Sequence, residues 1–297
     1  MTATRYHAKP VMTAPGGSCP GRPRSRADMI NNPPLPLPHS RLYKMLNEIK
    51  EIIHYSPLTA QIVIENGPIA RAARPGHFVI VRFDSEGMRI PFSIVKTSAE
   101  NGTISIVIHR AAGLGDLLST LRPGMVIPDV LGPLGQAMEI DENATVICIG
   151  DGAGFVPLLP VIRSYREHNT RVISVISEQS AQATCLLPLV EKYSEIVDAS
   201  TIGVEPVLTE LIAREKPDHI IMSGPTTLLK SIADITRDKG VRATAILNMM
   251  MIDGVGLCGI CRVMVGGKRL LTCIEGPAFD AHAIDFDQLL NRQRHFV

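Results

Sequence analysis

The chain is predicted to join an antiparallel β-barrel or sandwich to a parallel α/β domain, and three features of its pattern say so. Between residues 45 and 142 the apolar runs are short, β-branched and punctuated by Gly, Pro, Asn or Asp. From 143 to 247 strand-length runs alternate with helix-length ones, the order expected of a parallel sheet covered on both faces. From 248 to 297 the pattern changes again, to a glycine-rich loop that holds three of the six cysteines. A chain of 297 residues, 45% hydrophobic and 20% charged, can bury core for two or three such domains.

Residues 1–44 come first. "TAPGGSCPGRPRSR" and "NNPPLPLPH" are rich in Pro, Gly and Arg with almost nothing to pack, so a disordered extension is expected. A transit peptide is the competing reading, but these prolines and glycines would break its amphipathic helix. Cys19 receives no role. In the first domain "AQIVIENG", "GHFVIVRFD", "FSIVKTS" and "GTISIVIHR" read as strands. In the second, "ATVICIG", "RVISVIS", "DHIIMSG" and "RATAILN" read as strands, with helices over "GFVPLLPVIRSYREH", "CLLPLVEKYSE" and "TTLLKSIADITRDKG". In the last, "RVMVGGKRLLTC" reads as a hairpin turning at Gly266-Gly267.

Composition excludes several functions. The longest apolar runs fall well short of the roughly 20 residues that cross a bilayer, and no apolar signal-peptide core opens the chain. A cytoplasmic location is expected, where clustered cysteines point to metal or redox chemistry before disulfides. A net charge of +1 and the absence of Trp offer nucleic acid neither a basic surface nor a stacking platform. No local Ser-His-Asp set or carboxylate pair is found, so no catalytic side chain is assigned and the chemistry is expected from cofactors.

"GDGAGFVPLLP" follows the first α/β strand and opens a helix. There Gly150, Gly152 and Gly154 would let the backbone approach a pyrophosphate at the helix N-terminus; a tight turn with no ligand uses the same residues. Glu178, after the next strand, stands where a carboxylate accepts from adenosine ribose hydroxyls and would repel a 2′-phosphate, or is a loop charge. Cys258 and Cys261 form a C-x2-C pair, Cys273 follows, and Asp253 precedes them. Zinc could use that set, although zinc sites usually repeat the C-x2-C or add His. A thioredoxin-like redox pair is the third option, but that motif opens a helix. Gly254, Gly256 and Gly259 favour a 2Fe-2S cluster, because a tightly wrapped loop can turn amides toward inorganic sulfide.

"RIPFSI", "GDGAGFVPLLP", "SGPTTLLKSI", "MIDGVGLCGICRVMVGG" and "CIEGPAFDAHAIDFDQLLNRQRHF" occur in this order. Together they resemble the small electron-transfer subunit of NADH-dependent ferredoxin:NADP oxidoreductase, also called sulfide dehydrogenase, and more distantly the electron-transfer subunit of dihydroorotate dehydrogenase. The resemblance runs from about Met45 to Phe296. It implies a ferredoxin-reductase-like FAD barrel, a Rossmann-like nucleotide domain and a C-terminal 2Fe-2S loop. One aspartate and three cysteines hold the cluster in the first relative, four cysteines in the second, so Asp253 favours the first.

For FAD the resemblance implies Arg89 at the pyrophosphate, Pro91, Phe92 and Ser93 against the flavin, and His109, Gly113, Gly115 and Asp116 in a second segment. Asp116 replaces the family's usual Thr. "GPLG" at 132–135 reads as the turn closing the barrel. For the nicotinamide nucleotide, NAD(P)H, it implies Gly150, Gly152, Gly154, Pro157, Glu178, Gly224 and Pro225. "ASTIGVEP" and "SEQS" depart from the family's segments there. The implied partners are a larger flavin and iron-sulfur oxidoreductase subunit, with ferredoxin as a further one. The function read from all this is electron relay between NAD(P)H, FAD, the cluster and the partner. Alternatives are the dihydroorotate dehydrogenase subunit of pyrimidine biosynthesis and a zinc-stabilised scaffold without redox chemistry.

Overall fold

The computed structural model describes residues 46–84, 86–109, 117–177 and 181–294, and for 181–184 the backbone alone. The extension 1–44 lies outside them, as do the expected site residues Gly113, Gly115, Asp116 and Glu178.

Six strands build the first sheet: β1 (Ile49–Ser56), β2 (Thr59–Glu65), β3 (Phe78–Arg82), β4 (Ile90–Ser98), β5 (Thr103–His109) and β6 (Asp129–Leu134). Their order is β1-β2-β5-β4-β3-β6, antiparallel throughout. Alternation decides which side chains go inside: Ala60, Ile62 and Ile64 of β2 are fully buried, as are Ile104, Ile106 and Ile108 of β5. The stretch entering β6 then pairs with the chain entering β1. Ile49 N–H donates to Met125 O at 2.8 Å and Ile127 N–H to Asn47 O at 2.9 Å, so the sheet closes on itself and leaves few free edges. The barrel alternative therefore holds over the sandwich. A short helix, α1 (Gly67–Ala72), is capped by the Asn66 side chain, and a second, α2, spans Leu117–Thr120.

Two local readings change. β1, "IKEIIHYS", escapes a search for continuous β-branched runs because Lys, Glu and His interrupt its isoleucines. "GPLG" is not the closing turn: Gly132, Pro133 and Leu134 belong to β6, where Leu131 pairs with Ile80 and Leu134 with Phe78, and Gly132 and Pro133 form the register irregularity between them. A Cβ on Gly132 would stand 2.7 Å from Val79 Cγ1, so that glycine serves close strand packing; Gly135, at φ +76°, makes the bend.

In the second sheet the strands are β7 (Thr145–Gly150), β8 (Arg171–Ile176), β9 (Glu195–Asp198), β10 (His219–Ser223) and β11 (Arg242–Ile246), all parallel, plus the antiparallel β14 (Ala278–Asp280). Between them run α3 (Phe155–Glu167), α4 (Ala181–Glu191), α5 (Val204–Glu215) and α6 (Thr226–Lys239). The order β14-β11-β10-β7-β8-β9 reverses direction between β7 and β10, which opens a crevice beyond their carboxyl ends. Both strands are covered on each face, so Ile147, Cys148, Ile149, Ile220, Ile221 and Met222 are fully buried. The hairpin β12 (Arg262–Val265) and β13 (Lys268–Leu271) turns at Gly266-Gly267 as expected, and α7 (Phe286–Gln293) follows β14. The segment after 248 thus returns to the α/β sheet through β14.

At the amino ends of these strands His219 is almost wholly buried in a polar network. Arg242 Nη2 donates to its Nδ1 at 2.9 Å, which leaves the Nε2 hydrogen for Thr244 Oγ1 at 2.8 Å. Asp141, on the connection from the barrel, pairs with Arg242. Tyr165 Oη lies 3.3 Å from the same Nδ1.

Candidate functional site

One cleft of about 630 Å³ gathers most of the expected cofactor residues. Pro91, Phe92 and Ser93 of β4 and His109 at the end of β5 form its barrel side. Gly154 and Pro157 at the start of α3, with Gly224 and Pro225 after β10, form its α/β side. Met249 and Met251, just ahead of Asp253, continue the wall. His109 Nδ1 contacts Thr59 Oγ1 at 2.8 Å, and burial holds the imidazole below its ordinary pKa, so it is neutral at pH 7. Gly154 is required sterically: a Cβ there would run into the Ser223 carbonyl oxygen, which backs the crevice. Gly150 and Gly152 lie in the same turn but behind the wall, Gly150 tight against the Phe155 ring and Gly152 at φ +50°. Arg89 is held in an ion pair on the barrel. Its Nη2 donates to Asp129 Oδ2 at 2.9 Å and it does not line the cleft.

The cluster loop is organised by backbone amides. Asp253 Oδ1 accepts from Val255 N–H at 2.8 Å and Gly256 N–H at 3.1 Å, and Oδ2 accepts from Cys258 N–H. Cys273 N–H donates to Cys261 Sγ at 3.4 Å, and Thr272 N–H to Cys261 O at 3.0 Å. Asp253 and Cys258 therefore form one close pair, Cys261 and Cys273 another. Gly254, at φ +71°, lets the loop lie on the barrel, since a Cβ would come 2.5 Å from Ile80 Cδ1. From behind, Arg292 of α7 donates to the carbonyls of Ile260 (3.0 Å) and Arg262.

Comparison with known proteins gives this arrangement a family. Residues 248–285 match the model of the iron-sulfur cluster binding domain of dihydroorotate dehydrogenase B. A homolog of the dihydroorotate dehydrogenase B (NAD(+)) electron transfer subunit from Thermotoga maritima is 32% identical over 257 residues, covering 83% of this chain and 90% of the relative. The chain belongs to this electron-transfer-subunit family. In structure, a chain of the NADH-dependent reduced ferredoxin-NADP oxidoreductase, a system of flavin-based electron bifurcation, superposes with a TM-score of 0.76 at 30% identity, covering 84% of this chain and 93% of that one. A ferredoxin-NADP+ reductase from Plasmodium falciparum, at 14% identity and a TM-score of 0.52 over 65% of this chain and 90% of its own, shares the fold alone. The ferredoxin-reductase-like architecture expected from the sequence is the one observed.

The residues fit the groups that such a family carries. A 2Fe-2S cluster asks for two ligands at each iron, and the loop offers two pairs. For the same reason no three His, Cys, Asp or Glu need meet around one ion, and among the described residues none do. Burial, with Cys261 alongside, pushes the Cys273 thiol up to about 12, so a bound cation would be needed to hold it as thiolate at neutral pH. Thr272 Oγ1, beside Cys273, is buried without a hydrogen-bond partner among the described residues, as suits a donor awaiting an acceptor such as sulfur. The cleft fits a flavin in being concave and mostly apolar, with polar groups that include Ser93, His109, Asp151 and Asn248. Cys148 fits no ligand role: it is fully buried in β7, and burial pushes its thiol up to about 12.

Proposed function

We propose that this electron-transfer subunit takes reducing equivalents from NAD(P)H and passes them through FAD and a 2Fe-2S cluster to a larger oxidoreductase subunit. The carrying observation is continuity. A single cleft runs from Phe92 and Ser93 past the glycine loop to Met249 and Met251, and the loop after Met251 holds the two ligand pairs.

When bound, FAD exchanges electron pairs with a nicotinamide and single electrons with an iron-sulfur centre. The chain's own residues provide the setting. Pro91, Phe92 and Ser93 would lie along the flavin, Ser93 as a hydrogen-bonding group and Phe92 as its apolar support; Arg89, Gly113, Gly115 and Asp116 would serve the pyrophosphate segment. Gly150, Gly152, Gly154, Pro157, Gly224 and Pro225 would shape the nicotinamide nucleotide's approach, with Glu178 selecting NADH by repelling a 2′-phosphate. Asp253, Cys258, Cys261 and Cys273 would hold the cluster. Residues 45–142, 143–247 and 248–297 are accordingly the flavin, nucleotide and cluster parts, and the cytoplasm is the proposed compartment.

The face around the loop suits a partner. Met250, Ile252, Val255 and Leu257 are exposed, Leu257 to 87%, and Ile274 adjoins them, an apolar collar beside a centre that must exchange electrons with another protein. Among the described residues no helix is long and apolar enough to cross a membrane. Protein purified anaerobically should carry one FAD with iron and acid-labile sulfide, and NADH should bleach the flavin faster than NADPH does. Colourless protein containing zinc would sink the redox reading, and faster reduction by NADPH the role of Glu178.

A further inference from the structure

Among the described residues that line the cleft, Asp151 is the one acidic side chain, and no cofactor role assigned above uses it. It follows β7 directly, at the point where the strand order reverses. Its backbone ties the two inner strands together: Asp151 N–H donates to Ser223 O at 3.4 Å, and Gly154 N–H donates to Asp151 O at 2.7 Å. The side chain does not cap the turn it opens. Oδ1 is buried and has no hydrogen-bond partner among the described residues. The residue stands between two cavities. On one side is the 630 Å³ cleft with Phe92 and Ser93; on the other is a cavity of about 440 Å³ walled by Ser177, Gly203 and Pro206.

Oδ1 has lost water without gaining a donor, while the half-buried side chain as a whole lines the cleft, so the carboxylate gains by meeting a ligand hydrogen there. Pyrophosphate brings no hydrogen and carries the same sign of charge, so it cannot be the group Asp151 receives. A sugar hydroxyl can be. We propose that Asp151 accepts a hydrogen bond from a hydroxyl of the ribose next to the nicotinamide. This rests on the reading that the nucleotide enters this cleft. The adenosine ribose is the weaker candidate, because Asp151 shares its wall with the flavin-side residues Pro91 to Ser93 and His109, where the nicotinamide end has to arrive. The loop would then read the nucleotide twice, through the amides of the α3 N-terminus for the phosphates and through one carboxylate for the adjoining sugar.

Isothermal titration of the FAD-loaded protein with NADH, ADP-ribose and ADP tests this. Wild type, Asp151→Asn and Asp151→Ala are compared, the isosteric Asn guarding against a folding defect in Ala, with retained flavin as the check on folding. Asp151→Ala should weaken NADH and ADP-ribose by about tenfold or more, Asp151→Asn by less, and ADP, which lacks the second sugar, within about twofold. Unchanged affinity for NADH and ADP-ribose overturns the role of Asp151 and leaves the cleft as the nucleotide site. Tighter binding of all three overturns it in favour of plain repulsion of the pyrophosphate. Failure of wild type to bind any of the three overturns it together with the nucleotide reading of the cleft.

Discussion

The cluster loop and the cofactor cleft adjoin each other but are built in opposite ways. Every proposed cluster ligand falls between Asp253 and Cys273, and the loop shapes itself through its own amides, with Asp253 accepting from Val255, Gly256 and Cys258. The cleft instead collects β4, the end of β5, the turns after β7 and β10 and the stretch at Met249 to Met251, which only the closure of one sheet and the reversal of another bring together. A contiguous site can be lost without loss of the fold. A composite site depends on the scaffold beneath it.

The largest expected effect follows from that difference. Cys258→Ala, Cys261→Ala and Cys273→Ala should each abolish iron and labile sulfide while the protein keeps its flavin, and Cys148→Ala and Cys185→Ala should leave iron content unchanged. Loss of flavin along with iron would break the comparison. Asp253→Ala should leave the cluster labile. Asp253→Cys should keep a 2Fe-2S centre with shifted EPR g-values and midpoint potential, because thiolate is a softer ligand than carboxylate. Unaltered EPR and potential in both variants would remove Asp253 from the ligand set.

This contrast also explains what was legible in the sequence. The C-x2-C pair, the distant third cysteine and the Gly266-Gly267 hairpin are short-range patterns; the structure forms the hairpin as read and brings Cys273 to Cys261. Most strands were legible as well, because full burial on both faces leaves runs such as Val146 to Ile149 uniformly apolar. β1 was not, since polar residues interrupt it. Nor could any local pattern show that Arg89 meets Asp129 forty positions on, or that Asp151 lines the same cleft as Ser93. Asp151 did stand inside a quoted motif. Its signal was a carboxylate at a place where a phosphate-binding loop gains nothing from negative charge.

Next in size is the partner surface. Leu257→Glu should leave flavin and iron in place yet weaken assembly with the large subunit by tenfold or more, on the order of 1.5–3 kcal/mol for a large apolar side chain. Co-purification and sedimentation at graded concentrations measure it. Unchanged assembly would move the partner's footprint away from the loop.

The cleft's scaffold has its own weak point in acid. Burial first, then the neighbouring Arg242 guanidinium, hold the His219 imidazole at about 4, against an ordinary value of 6.5, while Asp141 opposes them in part. The native state thus binds the proton less readily than the unfolded chain. Its contribution is complete above about pH 6.5 and is lost as the pH falls from there toward 4, a total of about 3 kcal/mol. Urea denaturation at pH 7.5 and 5 should show the loss in wild type, and a smaller one in His219→Asn. Because β10 runs from His219 to Ser223, nucleotide affinity should fall with stability over this window; iron content should fall less, the cluster loop being held by its own contacts.

The smallest effect concerns Arg89. Its guanidinium meets Asp129 on the barrel surface with both side chains about a third exposed, so the pair itself contributes within about 1 kcal/mol. Asp129→Asn should therefore barely move the melting temperature. If Arg89 turns to the FAD pyrophosphate when the flavin binds, it must first leave Asp129, and Asp129→Asn should tighten FAD by a few-fold. Arg89→Ala should weaken FAD by roughly tenfold or more, the loss of a charge-assisted contact. Arg89→Lys should recover only part of this, since an ammonium cannot present the planar fork. Flavin fluorescence on titration into apoprotein separates the cases. An unchanged affinity in Arg89→Ala would leave the arginine as a surface partner of Asp129 and shift the pyrophosphate's support to the backbone of the second flavin segment.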